Sequence, residues 1–269
     1  MKYKNFGSTG LRASVIGMGT YYDPLWIITA KLGWLRDRKR KVEALISGLK
    51  AGINLIDTAE LYGSEPLVGE AIRGFQRKDI LISTKVWPTH LRREKLLRSL
   101  ERSLRRLGTD YVDFYLIHFP GSRDANREAL AAMEEAVASG MIRYIGLSNF
   151  DLNGVIEARK MLKKNDIAVL QNEYNLNHRD PERDLIPYCE KENIAFMAYY
   201  PLAHGALAKN SRLLELSKRY GATPAQLALL WLLRWRTVFP IPRASRAEHV
   251  IENARAADID VPEEVLRLL

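Results

Sequence analysis

Apolar residues alternate along this chain between two spacings. Near-continuous apolar runs recur as VIGMG near 15, INLID near 53, DILISTKV near 79, YVDFYLIH near 111, IRYIGLS near 142, AVLQNEY near 168, IAFMAYY near 194 and VFPIP near 238. Runs of this length without polar alternation predict strands buried on both faces. Between them, apolar residues fall three or four apart, most clearly at Leu96, Leu97, Leu100, Leu104 and Leu107, ending at Gly108. That period predicts amphipathic helices. Glu94 with Arg98 and Glu101 with Arg105 are spaced to pair along the wet face of this one. Further helices are expected from Ser64 with Pro66 in the first turn, up to Gly140, after Asp151, and from Thr223-Pro224 into AQLALLWLL. At the start, YKNF and RASVIGMG flank a glycine turn and read as a hairpin.

Eight buried strands alternating with helices predict an α/β protein with a parallel sheet, and the count favours a (β/α)8 TIM barrel over an open sheet. With the hairpin at its N-terminus, residues 1–269 are expected to form a single barrel domain, since no Gly-, Ser- or Pro-rich linker interrupts them. The chain is 47% hydrophobic and 27% charged, as folded proteins are. Its one cysteine, Cys189, excludes an internal disulfide and suggests a reducing compartment. No apolar run is long enough to cross a bilayer and Met1–Asn5 is not a signal peptide, so a cytoplasmic protein without a membrane partner is expected. The net charge of +9 is spread along helices, with one dense run over 36–41, RDRKRK. Zinc spacings and aromatic-basic interleaving are lacking, so an anionic ligand is a better reading of that charge than nucleic acid.

The strands end in polar residues: Asp57, Lys85, His118, Ser148 with Asn149, Gln171 with Asn172, and Tyr199. In a barrel those ends converge on one mouth, which makes distant positions neighbours. Taken alone, Asp57-Thr58 fits a turn and His118 a hydrogen-bonded core residue. A lysine after a buried strand is harder to dismiss, because lysine is seldom buried unpaired. Together Asp57, Tyr62, Lys85 and His118 suit a reaction that puts negative charge on a carbonyl oxygen and then protonates it. Asp57 would hold the Lys85 ammonium, which would lower the Tyr62 pKa and make the phenol a better acid, while His118 would orient the substrate oxygen.

The motifs GINLIDTAELYGSE, ILISTKVWP, YVDFYLIHFP, GMIRYIGLSNF, LQNEYN, AYYPL and IPRASRAEHVIEN, in this order, resemble those of the aldo-keto reductase family over almost the whole chain. The resemblance implies that Asp57, Tyr62, Lys85 and His118 are the catalytic tetrad, with Tyr62 as general acid. It also implies a nicotinamide cofactor bound across the mouth without a Rossmann glycine fingerprint. Ser148, Asn149 and Gln171 fall at positions that hydrogen-bond its carboxamide, Tyr199 at the aromatic stacked on the ring, Gly19 and Thr20 in the first loop, and Asp57 is also among the cofactor-binding positions. Pro201, Leu202 and Ile241 belong to the same cofactor motifs. In the last motif Arg243 takes the position that meets a ribose 2′-phosphate, with Ser245 and Arg246 beside it and Glu252 and Asn253 near the adenine. The basic residues make NADP(H) the expected cofactor, and His249, standing where a second arginine is frequent, keeps NAD(H) as the alternative.

Trp87 matches a wall of the substrate pocket, and Tyr22 and Trp26 would wall another side. The stretch after the first strand, YYDPLWIITAKLGWLRDRKRK, carries apolar residues beside a basic run, as a lid or an interface helix would. The chain stops at Leu269 with a last short helix, VPEEVLRLL, where larger relatives carry a long closing tail, which predicts an open pocket for small aldehydes; a monomer or small homo-oligomer is expected. Two other classes compete. A metal-dependent hydrolase needs more histidines in the mouth than five in the chain, at 90, 118, 178, 204 and 249, can supply, and no metal site is expected. A nicotinamide-nucleotide sensor with little turnover would keep the same cofactor motifs.

Overall fold

A computed structural model describes residues 1–269. The N-terminal hairpin pairs β1 (Tyr3–Asn5) with β2 (Arg12–Ser14) antiparallel. Eight parallel strands follow: β3 (Met18–Gly19), β4 (Leu55–Asp57), β5 (Leu81–Val86), β6 (Val112–Ile117), β7 (Ile142–Ser148), β8 (Ile167–Glu173), β9 (Ala195–Tyr199) and β10 (Val238–Pro240). They pair in chain order from β3 to β10. Closure comes from the Gly17 amide on the Pro240 carbonyl (2.9 Å) and the Gly19 amide on Pro242 (3.1 Å). A Cβ on Gly19 would lie 2.7 Å from the Ile241 carbonyl oxygen, so only glycine admits the two strands this closely. The barrel with its N-terminal hairpin is therefore the predicted architecture.

The helices are α1 (Pro24–Lys31), α2 (Arg38–Lys50), α3 (Glu65–Ile72), α4 (Arg93–Leu107), α5 (Arg123–Ala138), α6 (Leu152–Met161), α7 (Leu185–Glu192), α8 (Ser211–Tyr220), α9 (Pro224–Leu232), α10 (Ala247–Arg255) and α11 (Glu263–Arg267). Local chemistry sets several ends. Thr223 and Gln226 form a reciprocal capping box on α9, and Gly108 stops α4 in the left-handed conformation (φ 65°). Glu94 and Arg98 pair on α4 at 2.8 Å, whereas Glu101 and Arg105 do not. No helix is long and apolar enough to cross a membrane.

The strands bury two separate cores. Their outward residues, such as Ile56, Ile82, Tyr115, Ile117 and Leu147, pack under the helices. The inward residues Leu55, Leu81, Phe114, Leu116, Val169, Ala195, Met197 and Phe239 fill the barrel. Phe6 of the hairpin plugs its lower end, with ring centroids 4.4 Å from Phe114 and 4.6 Å from Phe239. Phe6→Ala leaves a hole that two rigid sheets of side chains cannot close, and is expected to cost about 3 kcal/mol in chemical denaturation. An unchanged midpoint would show the hairpin to be an ornament on the barrel.

Candidate active site

Strand periodicity places the polar residues. Side chains two apart point the same way, so above inward Leu55 comes Asp57; above Leu81, Ser83 and Lys85; above Phe114 and Leu116, His118. Gln171 stands above Val169 and Tyr199 above Met197 in the same manner. Register completes the ring, setting Asp57 beside Ser83 and Ser148 beside Gln171. The result is a cleft of about 580 Å³ at the C-terminal ends of the strands.

At its floor the Lys85 Nζ donates to Asp57 Oδ2 (2.7 Å) and to the Thr58 carbonyl (2.8 Å). Asp57 Oδ1 accepts from Ser83 Oγ (2.9 Å) and Gln171 Nε2 (2.8 Å), so the buried carboxylate is satisfied on both oxygens. Such a pair tolerates burial because its hydrogen bonds replace the lost water. Tyr62 reaches this floor from a short 3-10 turn, Glu60–Tyr62, after β4. Its ring centroid lies 4.9 Å from Lys85 Nζ, and its Oη lies 3.3 Å from His118 Nε2. The four residues thus meet in one place.

The electrostatics differ from the sequence expectation in one respect. Burial raises the Tyr62 phenol well above its ordinary pKa, and the Asp57 carboxylate raises it further. The Lys85 ammonium, shared with Asp57 and the Thr58 carbonyl, does not bring it back to the ordinary range. His118 is kept neutral, its pKa lowered to about 2 by burial and by the Lys85 charge. Its Nδ1 is buried without a partner, so no protein group fixes which nitrogen carries the proton.

Around the floor, Tyr199 Oη donates to Asn149 Oδ1 (2.8 Å), and Asn149 Nδ2 donates to the His118 carbonyl (2.8 Å). Asn149 has φ 62°, a conformation asparagine tolerates better than most residues. The cleft is lined by Gly19, Thr20, Tyr22, Asp57, Tyr62, Trp87, His118, Ser148, Asn149, Gln171, Tyr199, Pro201, Leu202, Ile241 and Arg243 among the expected residues. Lys85 lies beneath them, fully buried. Ser245, Arg246, His249, Glu252 and Asn253 do not line the cleft and sit on the segment that leads into and through α10. There Glu252 accepts from Thr223 Oγ1 (2.6 Å) and faces His249 Nδ1 at 3.5 Å, while Asn253 is buried. Neither Arg243 nor Arg246 has a carboxylate partner, which leaves two guanidinium groups free at this end.

Loop residues add walls that strand reasoning missed: Tyr21, Ile27, Leu61, Phe119, Tyr200 and His204. Tyr21 packs edge-on against both Tyr62 (5.2 Å) and Tyr200 (6.0 Å). Trp87 stands edge-on to His118 at 5.2 Å. Tyr22 is buried against Trp26 rather than open, with an unpartnered hydroxyl. The expected wall residue Trp26 does not reach the cleft, because it turns under α1, and Ile27 lines the cleft instead. The segment expected to be a lid or an interface helix forms α1 and the start of α2, with Leu25, Ile28, Leu32 and Trp34 exposed.

Known proteins share this fold. The chain is 39% identical over 240 residues to methylglyoxal reductase YeaE of Escherichia coli, covering 86% of this chain and 84% of that one. A crystal structure of the thermostable aldo-keto reductase Tm1743 with the inhibitor epalrestat superposes with a TM-score of 0.90 at 43% identity, over 100% of this chain and 98% of that one. An aldo-keto reductase from Klebsiella pneumoniae in complex with NADPH superposes with a TM-score of 0.89 at 36% identity, over 100% and 94%. With the model of the Aldo/keto reductase family matching residues 29–269 as well, the chain belongs to the aldo-keto reductase family.

Proposed function

We propose that this chain, acting as one catalytic unit, reduces small aldehydes, 2-oxoaldehydes such as methylglyoxal among them, with NADP(H) and with Tyr62 as the general acid. The observation that carries this reading is the convergence of Tyr62 Oη and the neutral His118 Nε2, 3.3 Å apart, above the Lys85–Asp57 pair. A carbonyl oxygen held by both groups would be polarised before reduction and protonated after it. The hydride to the carbonyl carbon would be the contribution of a reduced nicotinamide when one is bound. The proton comes from Tyr62, and the Tyr62 phenolate left behind sits over the Lys85 ammonium. A raised phenol pKa does not prevent the transfer, because the alkoxide formed is a stronger base than any phenolate.

The residues fit the cofactor. Gln171 gives its amide nitrogen to Asp57 and keeps its carbonyl oxygen for a ligand, beside Ser148 and Asn149. Tyr199 presents an aromatic ring anchored through its hydroxyl to Asn149. The unpaired Arg243 at the cleft edge, with Arg246 beyond it, suits a phosphate. The K. pneumoniae relative bound to NADPH supports the same choice, and the E. coli methylglyoxal reductase supports the substrate class. Aromatic walls from Tyr21, Trp87 and Phe119 narrow the substrate end, which favours small carbonyl compounds.

Titration with NADPH and NADH, followed by an aldehyde panel with the tighter cofactor, tests the reading. NADPH is expected to bind at least about ten-fold more tightly, as a charge-assisted phosphate contact would provide. Arg243→Ala should weaken NADPH at least about ten-fold and leave NADH nearly unchanged. Equal losses for both would remove Arg243 from the 2′-phosphate. Tight NADPH binding with no turnover on any aldehyde would favour the sensor instead.

A further inference from the structure

We propose that α1 is a clamp that sets the orientation of Tyr62, with Trp26 as its positioning residue. The inference rests on the reading of Tyr62 as the acid. The Trp26 indole N–H donates to the Tyr62 backbone carbonyl at 2.9 Å, across 36 positions of sequence. Both groups are buried, so no water replaces the bond cheaply. The next residue, Gly63, takes the left-handed conformation (φ 68°), and a Cβ built on it would lie 2.6 Å from Ala30 Cβ. Helix α1 therefore touches the catalytic turn at two points one helical turn apart, with the indole below and Ala30 alongside.

The helix itself is held firmly. Asp23 Oδ1 caps it by accepting from the Trp26 amide at 2.7 Å. From α2, the buried Lys41 ammonium sits 4.4 Å from the centre of the Trp26 ring and 4.9 Å from that of Tyr22, and donates to the Arg36 carbonyl at 2.7 Å. A cation over the indole makes the ring costly to displace. The segment unlike a plain strand-to-helix loop thus runs from Lys41 through Trp26 to the carbonyl of the reacting residue. Losing the indole donor leaves that carbonyl buried without a partner, and the turn must move to find one. The phenol moves with it, and a proton donor tolerates little displacement.

Trp26→Phe keeps a ring in place and removes only the donor. It is expected to lower kcat for aldehyde reduction about ten-fold, with NADPH affinity and aldehyde KM within about two-fold, and to raise the solvent deuterium isotope effect as proton transfer becomes limiting. In a Tyr62→Phe background the same change should have no further effect, because no phenol remains to be misplaced. Ala30→Val presses on Gly63 without touching the indole and should reproduce the pattern, which keeps the test open should Trp26→Phe fold poorly. Wild-type kcat in both variants, while Tyr62→Phe is inactive, would overturn the clamp. An equal fractional loss in the Tyr62→Phe background would do so too. Activity surviving in Tyr62→Phe itself would reject Tyr62 as the acid, a separate failure.

Discussion

Tyr62→Phe is expected to lower kcat for aldehyde reduction about 1,000-fold while NADPH affinity stays within about two-fold, because a positioned general acid contributes on the order of 10²–10⁴. The change deletes one oxygen and nothing else. The ring keeps its edge contacts with Tyr21 and His118 and its place beside the Lys85 ammonium. Only the 3.3 Å contact to His118 Nε2 is lost, and stability should stay within about 1 kcal/mol. Stopped-flow reduction and fluorescence titration measure the two quantities separately, and a loss below ten-fold would mean that another group delivers the proton. The pH dependence carries a sign. With the phenol raised by burial and by Asp57, it stays protonated well above neutrality, so the reduction rate should not fall between pH 6 and 9 on its account. Alcohol oxidation needs the phenolate and should rise across the alkaline range. His118, neutral down to about pH 2, sets no acid limb in that window.

Lys85→Met should be nearly as damaging to catalysis, about 100- to 1,000-fold in kcat, because nothing else positive is near the phenolate left by proton transfer. Its effect on stability should be larger than that of Tyr62→Phe. The variant leaves Asp57, 3% exposed, with Ser83 and Gln171 as its only side-chain donors and no counter-charge. Breaking a buried pair from one side costs about 3–5 kcal/mol, or roughly 10 °C in Tm for a chain of this size. Asp57→Asn with Lys85→Met removes both charges and should regain most of that stability and none of the activity. That split separates the two roles of the lysine. Recovery of kcat along with Tm would mean that the pair serves the fold alone.

Much of the site could be read from the chain because burial leaves a plain mark on barrel strands. Asp57, Lys85, His118, Ser148, Gln171 and Tyr199 each close an apolar run, and the (β/α)8 pattern carries every such end to one mouth. The loops carry no such mark. Tyr21, Phe119 and Tyr200 stand next to singled-out residues, yet no period says which of two neighbours faces the cleft. Trp26 shows the same ambiguity from the other side, since it is apolar enough for a wall yet turns under α1, while its neighbour Ile27 lines the cleft.

Strand order, the barrel and the identity of the strand-end residues gathered at its mouth follow from the sequence alone, since a period of two and a period near 3.6 are properties of the backbone that side chains must obey. The charge state of the site belongs to the tertiary structure. Which partner Lys85 takes, how deeply Tyr62 is buried and what holds its carbonyl depend on distances of a few ångströms between segments far apart in the chain. Electrostatic and hydrogen-bond energies change steeply over such distances, and spacing along a sequence does not encode them.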